Sequence, residues 1–154
     1  MVAQAEVMIL PPSMSGCLAF SPDGTLLAAG DVVIDAADGR VLRVLRGHVA
    51  PVTGVAFSPD GTLLATGSFD GTARVWEVAT GAVRLVLACH SEGVNDVAFA
   101  PDGTVLASAG SDRAVRIWDT AAGAGWVGQI PVEVALARID GPQPMVMTMS
   151  AACT

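Results

Sequence analysis

Lysine is absent from this 154-residue chain: all eight basic residues are arginines, set against fifteen Asp and Glu, for a formal net charge of -7. A field of that sign repels a phosphate backbone, so no nucleic-acid partner is expected. The arginine bias goes with abundant Ala, Gly and Val and carries no chemistry of its own. Charged residues make up only 15% of the chain and apolar ones 52%, which rules out a disordered segment. No uninterrupted apolar stretch approaches the roughly 18 residues of a membrane-spanning helix, so no membrane partner is expected either. The N-terminus has no basic region and sets Glu6 ahead of its only short apolar run, which argues against a secretory signal and for the cytoplasm. The cysteines, Cys17, Cys89 and Cys153, are odd in number, far apart and in no CxxC pair. They point to reduced, structural thiols rather than to disulfides or zinc. A Gly-rich phosphate loop, a His/Cys cluster at metal spacing and a paired set of carboxylates are all missing. No cofactor, metal or catalytic residue is therefore assigned, and an enzyme is not expected.

What the chain does have is repetition, which is sought before any other feature. Phe20-Ser21-Pro22-Asp23-Gly24, Phe57-Ser58-Pro59-Asp60-Gly61 and Phe99-Ala100-Pro101-Asp102-Gly103 are one motif at spacings of 37 and then 42 residues. His48 and His90, Asp70 and Asp112, and Trp76 and Trp118 each recur at 42, and Gly67 and Gly110 at 43, one residue out of step. Within each unit lie short segments with β-type alternation, Val52–Phe57, Leu63–Thr66, Ala73–Glu77 and Val83–Leu87 in the clearest case, with turn residues between them. Pro-Asp-Gly suits a tight hairpin, Pro presetting φ and Gly accepting the left-handed conformation. Phe69-Asp70-Gly71-Thr72 closes the next hairpin in the same way. The arginines of Gly39–Gly47 recur every three residues, but a stretch of seven residues between glycines is too short for a stable helix, and its counterpart Ala82–Ala88 reads as an outer strand. Four hairpin-linked strands repeated at about 42 residues make the blade of a β-propeller.

These residues resemble the WD-repeat (β-transducin-like) family, whose repeat runs from Gly-His through a Pro-Asp-Gly turn and a turn Asp to Trp-Asp. One repeat is Gly47-His48 through Asp70 to Val75-Trp76-Glu77, and the other runs from His90 through Asp112 to Ile117-Trp118-Asp119. The resemblance implies that a histidine, a hydroxyl, the turn aspartate and the tryptophan form a hydrogen-bonded tetrad. From His48, the residues Thr66, Asp70 and Trp76 lie 18, 22 and 28 positions on, and Ser108, Asp112 and Trp118 stand at the same offsets from His90. A Ser108 nucleophile with His90 as base is set aside. No strained Gly-x-Ser-x-Gly turn surrounds Ser108, Thr66 holds its place in the other repeat, and a catalytic site would not be duplicated as scaffold is. The aspartates Asp23, Asp60 and Asp102 are read as turn formers.

The first unit departs from the pattern. Gly30 and Asp31 join two strands where the next unit has Ser68-Phe69-Asp70-Gly71-Thr72, Ile34 stands in the place of Trp76, and no Gly-His precedes Cys17. This blade has no tetrad and should be the weakest. Glu6–Leu10 reads as a lone strand ahead of it, and Ala135–Gly141 and Pro144–Met149 as two strands of a fourth unit. The expected fold is all-β: an open arc of three four-stranded blades, at about 14–46, 47–88 and 89–130, with partial blades at both ends and 131–154 forming the last. Since propellers close with roughly four to eight blades, the arc is expected to be a piece of a longer propeller, or else to be completed by a second copy or a partner chain. The resemblance implies a non-catalytic scaffold that binds a protein or peptide at the end where the strand-d to strand-a loops and the b–c turns emerge. Candidate contacts there are Pro51, Thr53, Phe69, Glu92, Asn95 and Ser111, with Phe69 foremost because aromatic anchors dominate interface energetics. The competing functional expectations are a sensor or regulatory piece of a larger kinase or nucleotidase, and a decayed gene fragment without function.

Overall fold

The computed structural model describes residues 16–88 and 90–121 in full and the backbone of 126–131. Cys89, Cys153, the strand expected at Glu6–Leu10 and those expected at Ala135–Gly141 and Pro144–Met149 lie outside the described residues.

The described chain is built of strands alone. The first antiparallel sheet holds β1 (Leu18–Phe20), β2 (Leu26–Ala29), β3 (Val32–Asp35) and β4 (Val41–Val44), in that order. The second holds β5 (Val52–Phe57), β6 (Leu63–Ser68), β7 (Ala73–Glu77) and β8 (Val83–Leu87). The third holds β9 (Val94–Phe99), β10 (Val105–Gly110), β11 (Ala114–Asp119) and β12 (Trp126–Pro131). Each sheet is a meander in sequence order, and among the described residues the three sheets do not close into a ring.

The Pro-Asp-Gly motif makes the first hairpin of each sheet. Gly24 N donates to Ser21 O at 2.9 Å and Gly24 takes φ +73°, where a side chain would be strained. The aspartate then ties the turn: Asp60 Oδ1 accepts from the Thr62 amide at 3.0 Å, the Thr62 hydroxyl at 2.8 Å and the Ser58 hydroxyl at 2.6 Å. Asp23 repeats this set with Ser21 and Thr25. In the third sheet Ala100 stands in place of the serine, so Asp102 keeps only Thr104 as a partner. The carboxyls answer to these donors. Asp23 and Asp60 are lowered to about 2, by Ser21 and Thr25 and by Ser58 and Thr62 respectively, and Asp102 is lowered by Thr104 alone. These are turn formers on the surface.

The core lies between the sheets. Strand side chains alternate faces, and the sequence uses the alternation asymmetrically. In the second sheet Val55, Leu64 and Trp76 point back to the first, packing with Ala28, Val33 and Leu45. Its other face carries Ala65, Ala73 and Val75, which receive Val94, Val97, Leu106 and Trp118 of the third. A small-residue face meeting a large-residue face lets neighbouring sheets approach closely. Gly54 marks a place where backbone meets backbone: a Cβ there would stand 2.8 Å from both Asp96 Cα and Asp96 Oδ1, and 3.2 Å from Val97 N. Gly54→Ala should therefore force β5 and β9 apart and lower stability by about 1–3 kcal/mol on denaturant unfolding. Gly16→Ala, where nothing lies within 4 Å, is the matched control and should be neutral.

The strand pairing corrects one sequence equivalence. A bulge leaves Thr53 unpaired in the second sheet, where Val52 meets Ser68 and Gly54 meets Gly67, and a bulge leaves Asn95 unpaired in the third, where Val94 meets Gly110 and Asp96 meets Ala109. Gly110 thus corresponds to Ser68 and not to Gly67, and the 43-residue spacing is two different positions rather than a slip. In the first sheet Ile34 pairs with Leu27 as Trp76 pairs with Leu64 and Trp118 with Leu106, all three buried.

Candidate functional site: two buried tetrads and one turn-bearing face

His48 sits in the loop that leads into β5, Thr66 on β6, Asp70 in the β6–β7 turn and Trp76 on β7. The indole is the fixed point, because Trp76 Nε1 can only donate, and it reaches Thr66 Oγ1 at 2.8 Å. The hydroxyl is left to donate its proton to His48 Nε2 at 2.7 Å, which puts the imidazole proton on Nδ1, donating to Asp70 Oδ2 at 2.8 Å. The tautomer follows from this donor order. The third sheet repeats the circuit: Trp118 Nε1 donates to Ser108 Oγ at 2.9 Å, Ser108 pairs with His90 Nε2 at 2.8 Å, and His90 Nδ1 with Asp112 Oδ1 at 2.9 Å. Thr66 is 0% and Ser108 1% exposed, and each hydroxyl gives its proton to a histidine and accepts from an indole, so neither is open to a substrate.

Each circuit joins the incoming loop, two strands and a turn, so the contribution is to stability and to the placement of the loops. Asp70 also accepts from the Val49 amide at 3.2 Å and from Thr72 Oγ1 at 2.6 Å. Asp112 lacks that hydroxyl, since Ala114 replaces Thr72, and takes Arg116 Nη1 at 2.8 Å instead. Burial alone would raise both carboxyls. The donors outweigh it, Thr72 and His48 at Asp70 and His90 and Arg116 at Asp112, and hold both at about 2. Burial lowers the pKa of His48 and His90, opposed by the partner aspartate and reinforced by the positive charge of Arg74 or Arg116. Arg116 Nη1 lies 2.7 Å from His90 Nδ1, which leaves little room for a second positive charge. The fit is close around Gly110, where a Cβ would stand 2.3 Å from His90 Nδ1. The first sheet has no such circuit.

The candidate contact residues emerge at one end of the sheets, at the strand-d to strand-a loops and the b–c turns. Pro51, Phe69, Glu92, Asn95 and Ser111 are exposed. Ser111 Oγ donates to Asn95 Oδ1 at 3.0 Å, so these two act as a pair. Thr53 is different: its hydroxyl is engaged with the carbonyls of Gly67, at 3.2 Å, and Val94, bridging the second and third sheets. Phe69 rests on Gly93 of the next loop and is still 57% exposed. Among the described residues no group of His, Cys, Asp and Glu is placed to hold a metal ion.

Three side-by-side four-stranded meanders, two of them locked by a Trp-hydroxyl-His-Asp circuit, define a propeller-blade protein. The chain belongs to the WD40 family (WD domain, G-beta repeat), which matches residues 15–42, 39–77 and 81–119. Among solved structures it is similar to one titled "Structure of U3-55K", with TM-score 0.71 and 26% identity over 77% of this chain and 39% of that one. It is similar also to "Crystal structure of RRP9 WD40 repeats", with TM-score 0.71 and 26% identity over 77% of this chain and 38% of that one. The chain thus spans less than half the length of either. No curated protein sequence matches it.

Proposed function

We propose that this chain is a non-catalytic protein-interaction scaffold of the cytoplasm that binds a protein or peptide partner on the face carrying Pro51, Phe69, Glu92, Asn95 and Ser111. The observation that carries the reading is Phe69, an aromatic held on a turn by its contact with Gly93, yet more than half exposed. The tetrads support it by making that face rigid. Asp70, which shares its turn with Phe69, is bonded to His48 and to the Val49 amide, so little conformational freedom is left to lose on binding.

The scaffold is proposed to work within a larger propeller, completed by further blades of a longer protein, a second copy or a partner chain. Leu18 and Phe20 of β1 are 64% and 65% exposed, whereas the counterparts of Leu18, Val55 and Val97, and of Phe20, Phe57 and Phe99, are packed in the clusters between neighbouring sheets. The first sheet therefore presents a face shaped for a preceding blade.

The test is selection of displayed peptides on the purified chain, followed by Phe69→Ala. Loss of an aromatic anchor should weaken the selected peptides by about tenfold or more, while stability changes by roughly 0.5 kcal/mol or less. Lower stability with unchanged affinity would assign Phe69 to covering the third sheet and remove it from the binding face.

A further inference from the structure

The short turn of the first sheet leaves a hole over the loop that enters the second. In the second sheet the β6–β7 turn reaches over the loop entering the third: a Cβ on Gly93 would meet Phe69 Cδ1 at 2.9 Å, and one on Gly71 would meet the carbonyl oxygens of His90 and Glu92 at 3.3 and 3.4 Å. Phe69 is the roof of that loop. The corresponding loop into the second sheet, residues 48–51, has among the described residues only Gly30 and Asp31 above it, because the five residues matching 68–72 are absent. A cavity of about 290 Å³ opens between Gly30–Asp31 and residues 48–52. It lies just below the range of roughly 300–1,000 Å³ typical of ligand pockets, room for a side chain rather than a large molecule.

We propose that this cavity binds a partner peptide through an aromatic side chain, supplied in trans where Phe69 is supplied in cis, with an adjacent basic residue of the peptide meeting the Asp31 carboxylate. This rests on the scaffold reading above and names the chemistry of its partner. Pro51 stands where the next loop has Gly93, and because a Cβ there would crowd a ring seated as Phe69 is, the incoming aromatic lies against the outer face of the pyrrolidine rather than in Phe69's own place. Val49, on the rim, is 89% exposed and extends the apolar surface. Among the described residues of the lining Asp31 carries the only charge, His48 being neutral and tetrad-bound, and no ion pair among them engages it. Both walls are already fixed. The Val49 amide donates to Asp70 Oδ2 at 3.2 Å, Ala50 O accepts from Ser68 Oγ at 3.0 Å, and Pro51 O accepts from the Phe69 amide at 3.1 Å. On the other side Gly30 N donates to Cys17 O at 3.1 Å and Asp31 O accepts from the Leu45 amide at 2.7 Å. A preformed pocket spends no binding energy on ordering itself.

The experiment titrates three capped peptides into the full chain, Ala-Phe-Arg-Ala, Ala-Ala-Arg-Ala and Ala-Phe-Glu-Ala, followed by amide chemical shifts. Shifts at residues 30–31 and 48–52 are expected with the Phe-Arg peptide, with affinity about tenfold lower without Phe and a few-fold lower with Glu in place of Arg. Asp31→Arg should reverse the preference between the Arg and Glu peptides, a readout that a folding defect does not produce. Inserting Ser-Phe-Asp-Gly-Thr between Gly30 and Asp31 rebuilds the roof and should abolish binding. Equal affinity for the Phe and Ala peptides, or binding that survives the insertion, overturns the pocket. If displayed peptides bind and respond to Phe69→Ala but not to Asp31→Arg, the pocket fails and the scaffold reading stands. If no peptide binds anywhere, both fail.

Discussion

Trp118→Ala is expected to lower the stability of the chain by about 3–5 kcal/mol, the range for truncating a large buried aromatic. The loss has two parts. Trp118 is 2% exposed and packs with Val94, Val97 and Leu106 against the small face of the second sheet, so its removal opens a cavity at the contact between two sheets. It also removes the donor-only group that fixes the direction of the circuit and leaves the buried Ser108 oxygen without the N–H it accepts. Trp118→Phe separates the parts. It keeps most of the apolar volume and deletes the N–H, and should cost nearer 1 kcal/mol for the hydrogen bond beyond whatever volume is lost. Ser108→Ala leaves both the Trp118 N–H and His90 Nε2 buried without a partner, at about 1–3 kcal/mol for each orphaned group. Against a total of roughly 5–15 kcal/mol for a domain, the alanine variant is close to unfolding, and urea denaturation at pH 7 reads all three. Unchanged stability in Trp118→Ala would remove the circuit from the account of what holds the sheets together.

The sequence displays this part of the molecule because the circuit is periodic. The offsets 18, 22 and 28 occur twice, and each residue type has one chemical role, so a donor-only indole, a hydroxyl, an imidazole and a carboxylate at fixed spacing specify their own connectivity. The strands are legible for the same reason, hairpin by hairpin, from Pro-Asp-Gly and from the alternation of Val52–Phe57. What spacing hides is contact between sheets. Gly54 looks like an unremarkable strand residue until Asp96 Cα is found 2.8 Å from its missing Cβ. Thr53 looks like a surface contact, yet the bulge that frees it from pairing turns its hydroxyl toward the carbonyl of Val94. The Gly67–Gly110 spacing of 43 misleads because a bulged strand can be aligned from either side of the extra residue. The shortened Gly30-Asp31 turn is visible as a deletion, but a deletion gives no volume. Only its position over residues 48–52 makes it a cavity.

Acid should weaken the fold in two separable stages, because the histidines and the aspartates of the circuits titrate in different windows. In the unfolded chain a histidine takes up its proton near pH 6.5, whereas burial holds His48 and His90 below that value in the folded chain. Between the two values the unfolded state binds more protons, so protonation favours unfolding. The stabilisation is complete above pH 6.5 and declines as pH falls, with a slope approaching about 1.4 kcal/mol per pH unit for each histidine and about 2.7 for both. Asp70 and Asp112 behave likewise lower down. Their folded value of about 2 lies below the ordinary 3.8, so their contribution is intact above about pH 4 and is lost as pH falls toward 2. Denaturation midpoints collected from pH 7.5 to 3 should therefore start to fall near pH 6.5, well before Asp70 and Asp112 respond. His48 and His90 are the only histidines in the chain, which permits a direct check: their imidazole proton resonances should titrate with midpoints below pH 6.5 while the chain is folded. The opposite result is equally informative. If stability rises as pH drops below 6.5, a His–Asp ion pair outweighs burial and the neighbouring arginines, and the neutral, Nδ1-protonated circuit is wrong.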